Sequence, residues 1–90
     1  MLTVDQAFNK VFNGQTNFMT PTIKYRKIAG NFGIELSSGR GLSDNTIYGV
    51  TVISDVLTDE PKRESGVSRC FVNMEEAEEY ITTIERQADA

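Results

Sequence analysis

The sequence contains no histidine and a single cysteine, Cys70. Without histidine, the chain lacks the usual general base at neutral pH and any serine–histidine or cysteine–histidine nucleophile pair. The same shortage leaves no set of nitrogen and sulfur ligands for a zinc site. One cysteine also excludes a disulfide within the chain, which favours a cytoplasmic protein. These absences predict a protein that is not an enzyme and that holds neither a metal nor a cofactor.

Long apolar runs are also missing. No stretch approaches the roughly 18 apolar residues of a membrane-spanning helix. The N-terminus, MLTVDQAFNK, has an acid where a secretion signal would carry bases. We therefore expect a cytoplasmic protein that does not enter a membrane. The length of 90 residues predicts one domain over residues 1–90, because a second domain would have too little core of its own.

The longest apolar and β-branched stretch is Thr46–Val56. Its residues alternate between two faces that are both fairly apolar, with Tyr48 and Val50 on one face and Ile47 and Ile53 on the other. This pattern favours a central strand that is covered on one side and partly covered on the other.

Residues 22–38 have the pattern of a β-hairpin around Gly30-Asn31, since glycine adopts the positive φ that a type II′ turn needs first. The turn sets a register in which Arg26 faces Glu35 on the solvent side. Lys27 then falls on the inward side. Either its long stem reaches solvent at the sheet edge, or the register is shifted by one residue.

The same register, continued to the start of the hairpin, pairs Lys24 with Ser37. Ser37–Asn45 is rich in serine, glycine, aspartate and asparagine, which indicates a loop. A second polar loop covers Leu57–Gly66, and Val67–Val72 has the composition of a further strand.

A helix is expected at each end of the chain. Thr3–Phe12 has a single apolar stripe and opens with the capping-box pattern of Thr3 and Gln6. Met74–Arg86 is also amphipathic and follows Asn73, a good N-cap. The order helix, four strands, helix predicts an α+β fold of the order α-β-β-β-β-α. We expect a two-layer sandwich, with an antiparallel sheet of about four strands and both helices on one face. The connection at residues 37–45 is long enough to permit another strand order.

The net charge of −4 is unevenly distributed. Residues 1–45 contain five bases and three acids, whereas residues 46–90 contain four bases and ten acids. A basic half and an acidic half can attract each other within one chain or between copies. The alternative is that both halves are solvated surfaces, since exposed ion pairs contribute little.

The densest basic cluster surrounds Tyr25 and contains Lys24, Arg26 and Lys27. With Arg40 of the Gly-Arg-Gly loop, it is the candidate contact for an anion or a single-stranded nucleic acid. Two observations weigh against this hypothesis. The predicted register turns Tyr25 towards the core, and the overall negative charge opposes a polyanion. In the alternative interpretation, the Gly-Arg-Gly loop is a flexible connection, and Arg40 only keeps it hydrated.

The second helix begins with four glutamates within residues 75–79, where the positive end of the helix dipole favours them. Glu75, Glu78 and Glu79 are a candidate acidic recognition face; a solvated helix start is the alternative. The acids between residues 55 and 64 lack the order of a calcium loop. Cys70 is expected to be a small buried hydrophobic residue in a strand.

If both helices cover one face, the outer face of the central strand remains partly bare. Its residues Ile47, Thr51 and Ile53 are then the candidate contact with a partner or a second subunit. We predict a small non-enzymatic protein-interaction or assembly module that forms homo-oligomers. The alternatives are a nucleic-acid-binding accessory protein, and an inhibitor whose acidic helix mimics nucleic acid. An enzyme that uses tyrosine, serine and carboxylates is a further alternative.

Overall fold

A computed structural model describes residues 2–12, 22–41, 44–63 and 68–88. Its elements, in chain order, are α1 (Val4–Phe12), β1 (Thr22–Ala29), β2 (Phe32–Arg40), β3 (Thr46–Ser54), β4 (Lys62–Arg63), β5 (Arg69–Phe71) and α2 (Met74–Ala88). Two helices flank one antiparallel sheet, so the predicted α+β class and element order are confirmed. Neither of the two described helices has the length and hydropathy of a membrane-spanning helix.

Side-chain caps explain where both helices begin. The backbone N–H of Gln6 donates to Thr3 Oγ1 at 3.1 Å, and the N–H of Thr3 donates to Gln6 Oε1 at 2.9 Å. This reciprocal pair satisfies donors that the first turn of a helix leaves without partners. At α2, the N–H of Glu76 donates to Asn73 Oδ1 at 3.2 Å. The two N-caps are therefore as predicted.

The hairpin of β1 and β2 has the predicted turn, and Gly30 adopts a φ of 59°. Arg26 lies opposite Glu35, as expected. Towards the start of β1 the prediction is wrong, because a bulge between Ile23 and Tyr25 places Ile23, rather than Lys24, opposite Ser37. A bulge inserts one extra residue into a strand, so it changes which residue faces the partner strand.

The first four residues of the expected loop at Ser37–Asn45 are strand. β2 continues to Arg40 and pairs with β3 throughout, from Phe32 opposite Ser54 to Arg40 opposite Thr46. Serine and glycine favour loops, but the ladder of β3 supplies partners for their backbone groups along an uninterrupted antiparallel pair. The strand order is therefore the simple meander β1-β2-β3.

β3 is the central strand, as predicted, but it ends at Ser54 rather than at Val56. Asp55 turns the chain with a φ of 55°. Beyond this turn, two short strands lie along the same edge of β3: β4 pairs with Ile53 and Ser54, and β5 pairs with residues 48–50. The last strand is therefore shorter than the predicted Val67–Val72, of which Val67 lies outside the described residues.

The larger core lies between α2 and one face of the sheet. Its buried residues come from β2, β3 and α2, and they are Ile34, Leu36, Val50, Val52, Ala77, Ile81 and Ile84. Phe71 of β5 extends this core, with its ring centroid 5.5 Å from that of Tyr80. The packing of α2 on this face of the sheet is as predicted.

α1 covers the opposite face, so the prediction that both helices lie on one side of the sheet is wrong. A second buried cluster joins Ala7 and Phe8 of α1 to Ile53 and Val56. Ile53 follows Val52 in β3, and successive strand residues point to opposite faces. Because β3 carries large apolar side chains on both faces, each face requires its own cover. A Cβ at Gly33 would lie 3.0 Å from both Ile53 and Val56, so glycine there permits this close packing.

Candidate interaction surface

The outer edge of β1 is the longest unpaired strand edge in the described part of the chain. β1 has eight residues and pairs with β2 along one side, and no described strand pairs with its other side. The opposite edge of the sheet consists of β4 and β5, which have two and three residues. A strand edge presents N–H and C=O groups that another strand can pair with.

The turn determines which backbone groups point outward. In a two-residue hairpin, the closing pair Ala29 and Phe32 exchanges both hydrogen bonds. Alternation along the antiparallel ladder then directs the N–H and C=O groups of Ile28 and Arg26 away from β2. The bulge at Lys24 interrupts this alternation. The regular open edge is therefore Tyr25–Ala29.

β1 carries two exposed apolar side chains, Ile28 within this regular segment and Ile23 beyond the bulge. Ile23 is 50% exposed and Ile28 is 46% exposed. Their partners across the hairpin, Ser37 and Gly33, lie on the face of β2 that α1 covers, so both isoleucines lie on that face. Together with Leu57 and Val72 they are the exposed large hydrophobic residues of the described chain. Added strands bury such residues.

Arg26 connects β1 to α1 and β2. Its Nε donates to Glu35 Oε2 at 2.7 Å, and its Nη1 donates to Asp5 Oδ1 at 2.8 Å. The guanidinium carbon lies 5.0 Å from the ring centroid of Phe8, a cation–π distance. Burial by itself would lower the pKa of Arg26, but the hydrogen bonds that it donates to Asp5 and Glu35, together with the charges of these acids, outweigh burial and raise the pKa. The Arg26 side chain is 14% exposed, and its charge points towards Asp5 and Glu35 rather than towards the open edge.

Lys27 lies on the other face, in the register that the turn predicts. Its Nζ forms an ion pair with Glu85 of α2 and lies 5.3 Å from the ring centroid of Tyr25. The long side chain of Lys27 therefore carries its charge to Glu85, and no register shift occurs at this residue. Burial raises the pKa of Tyr25; Lys27 opposes the rise, and Glu78 and Glu85 add to it.

The four candidate anion-binding bases do not form one surface. Arg26 and Lys27 point to opposite faces of β1, and Arg40 pairs with Asp44 at 3.2 Å near the far hairpin. The N–H of Gly41 donates to the carbonyl of Asn45 at 2.9 Å, so this amide already has an acceptor. Lys24 lies exposed at the bulge.

The predicted acidic residues Glu75, Glu78 and Glu79 all lie exposed on α2. Their spacing places them together on the side of the helix away from the buried Ala77 and Ile81. An acidic recognition face there stays a prediction. Among the described residues, no group of three or more cysteines or acids is arranged to hold a metal ion.

The predicted subunit contact at Ile47, Thr51 and Ile53 requires correction. Ile53 is fully buried in the cluster beneath α1, whereas Ile47 and Thr51 are partly exposed. The bare outer face was expected because both helices were placed on one side. With α1 on this face, Ile53 cannot contact a partner while the fold is intact.

Cys70 is exposed, so the prediction of a buried thiol is wrong. It lies in β5 opposite Gly49, and its neighbours Arg69 and Phe71 point towards α2. Alternation therefore places Cys70 on the face that carries α1. The α1 cluster contacts that face at Ile53 and Val56, at the other end of β3. The alternation along β5 indicates on which face Cys70 lies, but its exposure depends on which part of that face α1 covers.

Sequence reasoning identified β1 but did not single out its open edge as a surface. The hairpin turn and the alternation of β1 could have indicated it. The acids that pair with Arg26 and Lys27 from the two helices could not be assigned, because their positions depend on helix packing. Comparisons with models of protein families, with curated proteins and with solved structures found no match for the chain.

Proposed function

We propose that the protein is a small, non-enzymatic, cytoplasmic interaction module that assembles with further copies of itself. The observation that carries the proposal is the outer edge of β1, where a regular five-residue segment that includes exposed Ile28 presents backbone groups with no partner among the described strands. Strand addition to an open edge supplies main-chain hydrogen bonds, and neighbouring side chains supply specificity. The non-enzymatic part of the proposal rests on the composition, which lacks histidine and has a single cysteine.

Sedimentation velocity and light scattering of the full chain test this proposal. The weight-average mass is expected to rise above that of one chain as the concentration increases from micromolar to millimolar. Assembly by strand pairing depends mainly on backbone hydrogen bonds and apolar contact, so it should persist in high salt. A mass equal to one chain at every concentration would overturn the proposal.

Nucleic-acid binding is a weaker alternative, because three of its four candidate bases already pair with acids. Titration of a labelled single-stranded oligonucleotide at low salt distinguishes it from assembly. Binding that weakens steeply with salt, and that Lys24→Glu abolishes, would favour nucleic acid as the partner.

An acidic recognition face on α2 is the other alternative. Its supporting observation is that Glu75, Glu78 and Glu79 are exposed together. The triple change of these residues to glutamine should abolish binding to a basic protein such as a histone and leave the mass of the assembly unchanged. Unaltered histone binding after this change, or no binding by the original chain, would eliminate this function.

A further inference from the structure

We infer that the open edge of β1 pairs with β1 of a second copy, antiparallel, with Arg26 at the two-fold axis. The inference rests on the proposed function and specifies its contact surface. It replaces the outer-face contact that the sequence suggested, since Ile53 of that face is buried beneath α1.

The backbone of β1 fits this arrangement. The N–H and C=O groups of Arg26 and Ile28 point outward, as the hairpin ladder requires. A two-fold axis at Arg26 places this residue opposite itself, and the two copies exchange both of its backbone hydrogen bonds. The same axis brings Ile28 of each copy to the bulge at Lys24 of the other, where the regular pairing ends. A closed, symmetric contact of this kind yields a dimer rather than a filament.

The side chains are self-complementary in this register. Residues that lie directly opposite each other across an antiparallel pair point to the same face. Tyr25 therefore lies opposite Lys27 of the second copy, where it repeats the cation–aromatic contact that the two residues make within one chain. On the other face, Ile28 lies beside the bulge of the second copy, where Ile23 is on the same face, and both isoleucines are exposed in the single chain.

Like charge does not prevent the approach of the two strands. β1 contains three bases and no acid, and like charges directly opposite each other are unfavourable. However, Arg26 is directed towards Asp5 and Glu35, and Lys27 pairs with Glu85. Acids thus neutralise Arg26 and Lys27 from both faces, and the backbone between these two residues has no partner among the described strands.

Replacement of Ile28 by lysine tests the surface. In the inferred register, Ile28→Lys places a new charge beside the bulge that carries Lys24, twice in each dimer. We expect the dissociation constant to rise at least roughly tenfold. Val72→Lys is the matched control, because Val72 is a 74% exposed β-branched residue beside the opposite edge. It should leave the dissociation constant unchanged. Circular dichroism checks that both variants are folded.

Thiol cross-linking tests the register independently, in a Cys70→Ser background. In the inferred register Tyr25 and Lys27 form a non-hydrogen-bonded pair, whose Cα atoms lie about 4.5 Å apart, within the range that a disulfide spans. Mixing a Tyr25→Cys chain with a Lys27→Cys chain should give a disulfide-linked pair upon oxidation with diamide. Neither chain by itself should cross-link to that extent.

The outcomes separate the inference from the proposed function. If the original chain is monomeric throughout, both are overturned. If it assembles and Ile28→Lys assembles equally well, or if Val72→Lys is the variant that dissociates, assembly stands and the β1 surface is wrong. If each cysteine chain cross-links by itself as efficiently as the mixture, the Arg26 axis is wrong.

Discussion

Replacement of Ile53 tests the feature on which the two-sided architecture depends, the packing of α1 on its own face of the sheet. Ile53 is fully buried beside Phe8 and Val56. Truncating a buried isoleucine to alanine costs about 2–5 kcal/mol, and to valine about 0.5–1.5 kcal/mol. A chain of 90 residues has a total stability of roughly 5–13 kcal/mol. Ile53→Val is therefore the safer variant, since it removes a minor part of this total.

Urea unfolding followed by circular dichroism measures the loss. With an m-value of roughly 1 kcal/mol per molar urea, Ile53→Val should lower the midpoint by about 0.5–1.5 M. The matched control is Val72→Ala beside the opposite edge, where the side chain is 74% exposed. We expect that change to stay within about 0.5 kcal/mol. Equal effects of the two variants would contradict the burial of Ile53 beneath α1.

A double-mutant cycle then identifies the element that covers Ile53. Because Phe8 belongs to the same buried cluster, Phe8→Leu combined with Ile53→Val should show a coupling of about 0.5–3 kcal/mol. Phe8→Leu combined with Ile81→Val is the control, since Ile81 belongs to the cluster on the opposite face. That pair should be additive. Additivity of Phe8 with Ile53, or coupling of Phe8 with Ile81, would refute the placement of α1.

Three further predictions concern single side chains. Arg26→Met should lower the free energy of unfolding by about 2 kcal/mol, because it leaves Glu35, 15% exposed, without its charged donor. Adding Glu35→Leu should restore part of the loss, and a double variant less stable than Arg26→Met would contradict this account. Burial raises the pKa of Tyr25 in the folded chain. The neutral phenol therefore stabilises the fold below the unfolded pKa of about 10, and this contribution is lost as the pH rises through the folded pKa. Tyr25→Phe should flatten that alkaline loss in urea titrations, and an unchanged slope would refute the burial effect. Cys70 should react with a thiol reagent under native conditions as readily as in urea, whereas reaction only after unfolding would show that it is buried.

The local parts of the fold could be predicted because each depends on residues close in sequence. The cap of Thr3 and Gln6 spans three residues, and Gly30-Asn31 determines the hairpin register down to Tyr25. The boundaries of β2 were harder to predict. Ser37–Arg40 has the composition of a loop, and its strand conformation comes from pairing with β3, which local propensity does not contain.

The candidate site was predicted less well than the fold, since each of its features depends on which face a helix covers. The alternation of β3 correctly indicated two apolar faces, but not which helix lies on each. Placing α1 on the wrong face left Ile53 bare in the prediction, although it is buried in the structure. The same helix position leaves Cys70 exposed. Strand alternation assigns a residue to a face, whereas burial also requires knowledge of the opposing layer.

The bases of β1 show how this limitation affects the functional hypothesis. Counted along the sequence, Lys24, Arg26 and Lys27 form a basic cluster typical of polyanion binding. In the fold, α1 brings Asp5 to Arg26 from one face and α2 brings Glu85 to Lys27 from the other. Two helices on one face could not have supplied both acids, because Arg26 and Lys27 point in opposite directions. The placement of the helices on opposite faces, which differs from the prediction, is therefore what neutralises Arg26 and Lys27 on this edge. This neutralisation favours pairing with another strand over attraction of a phosphate backbone.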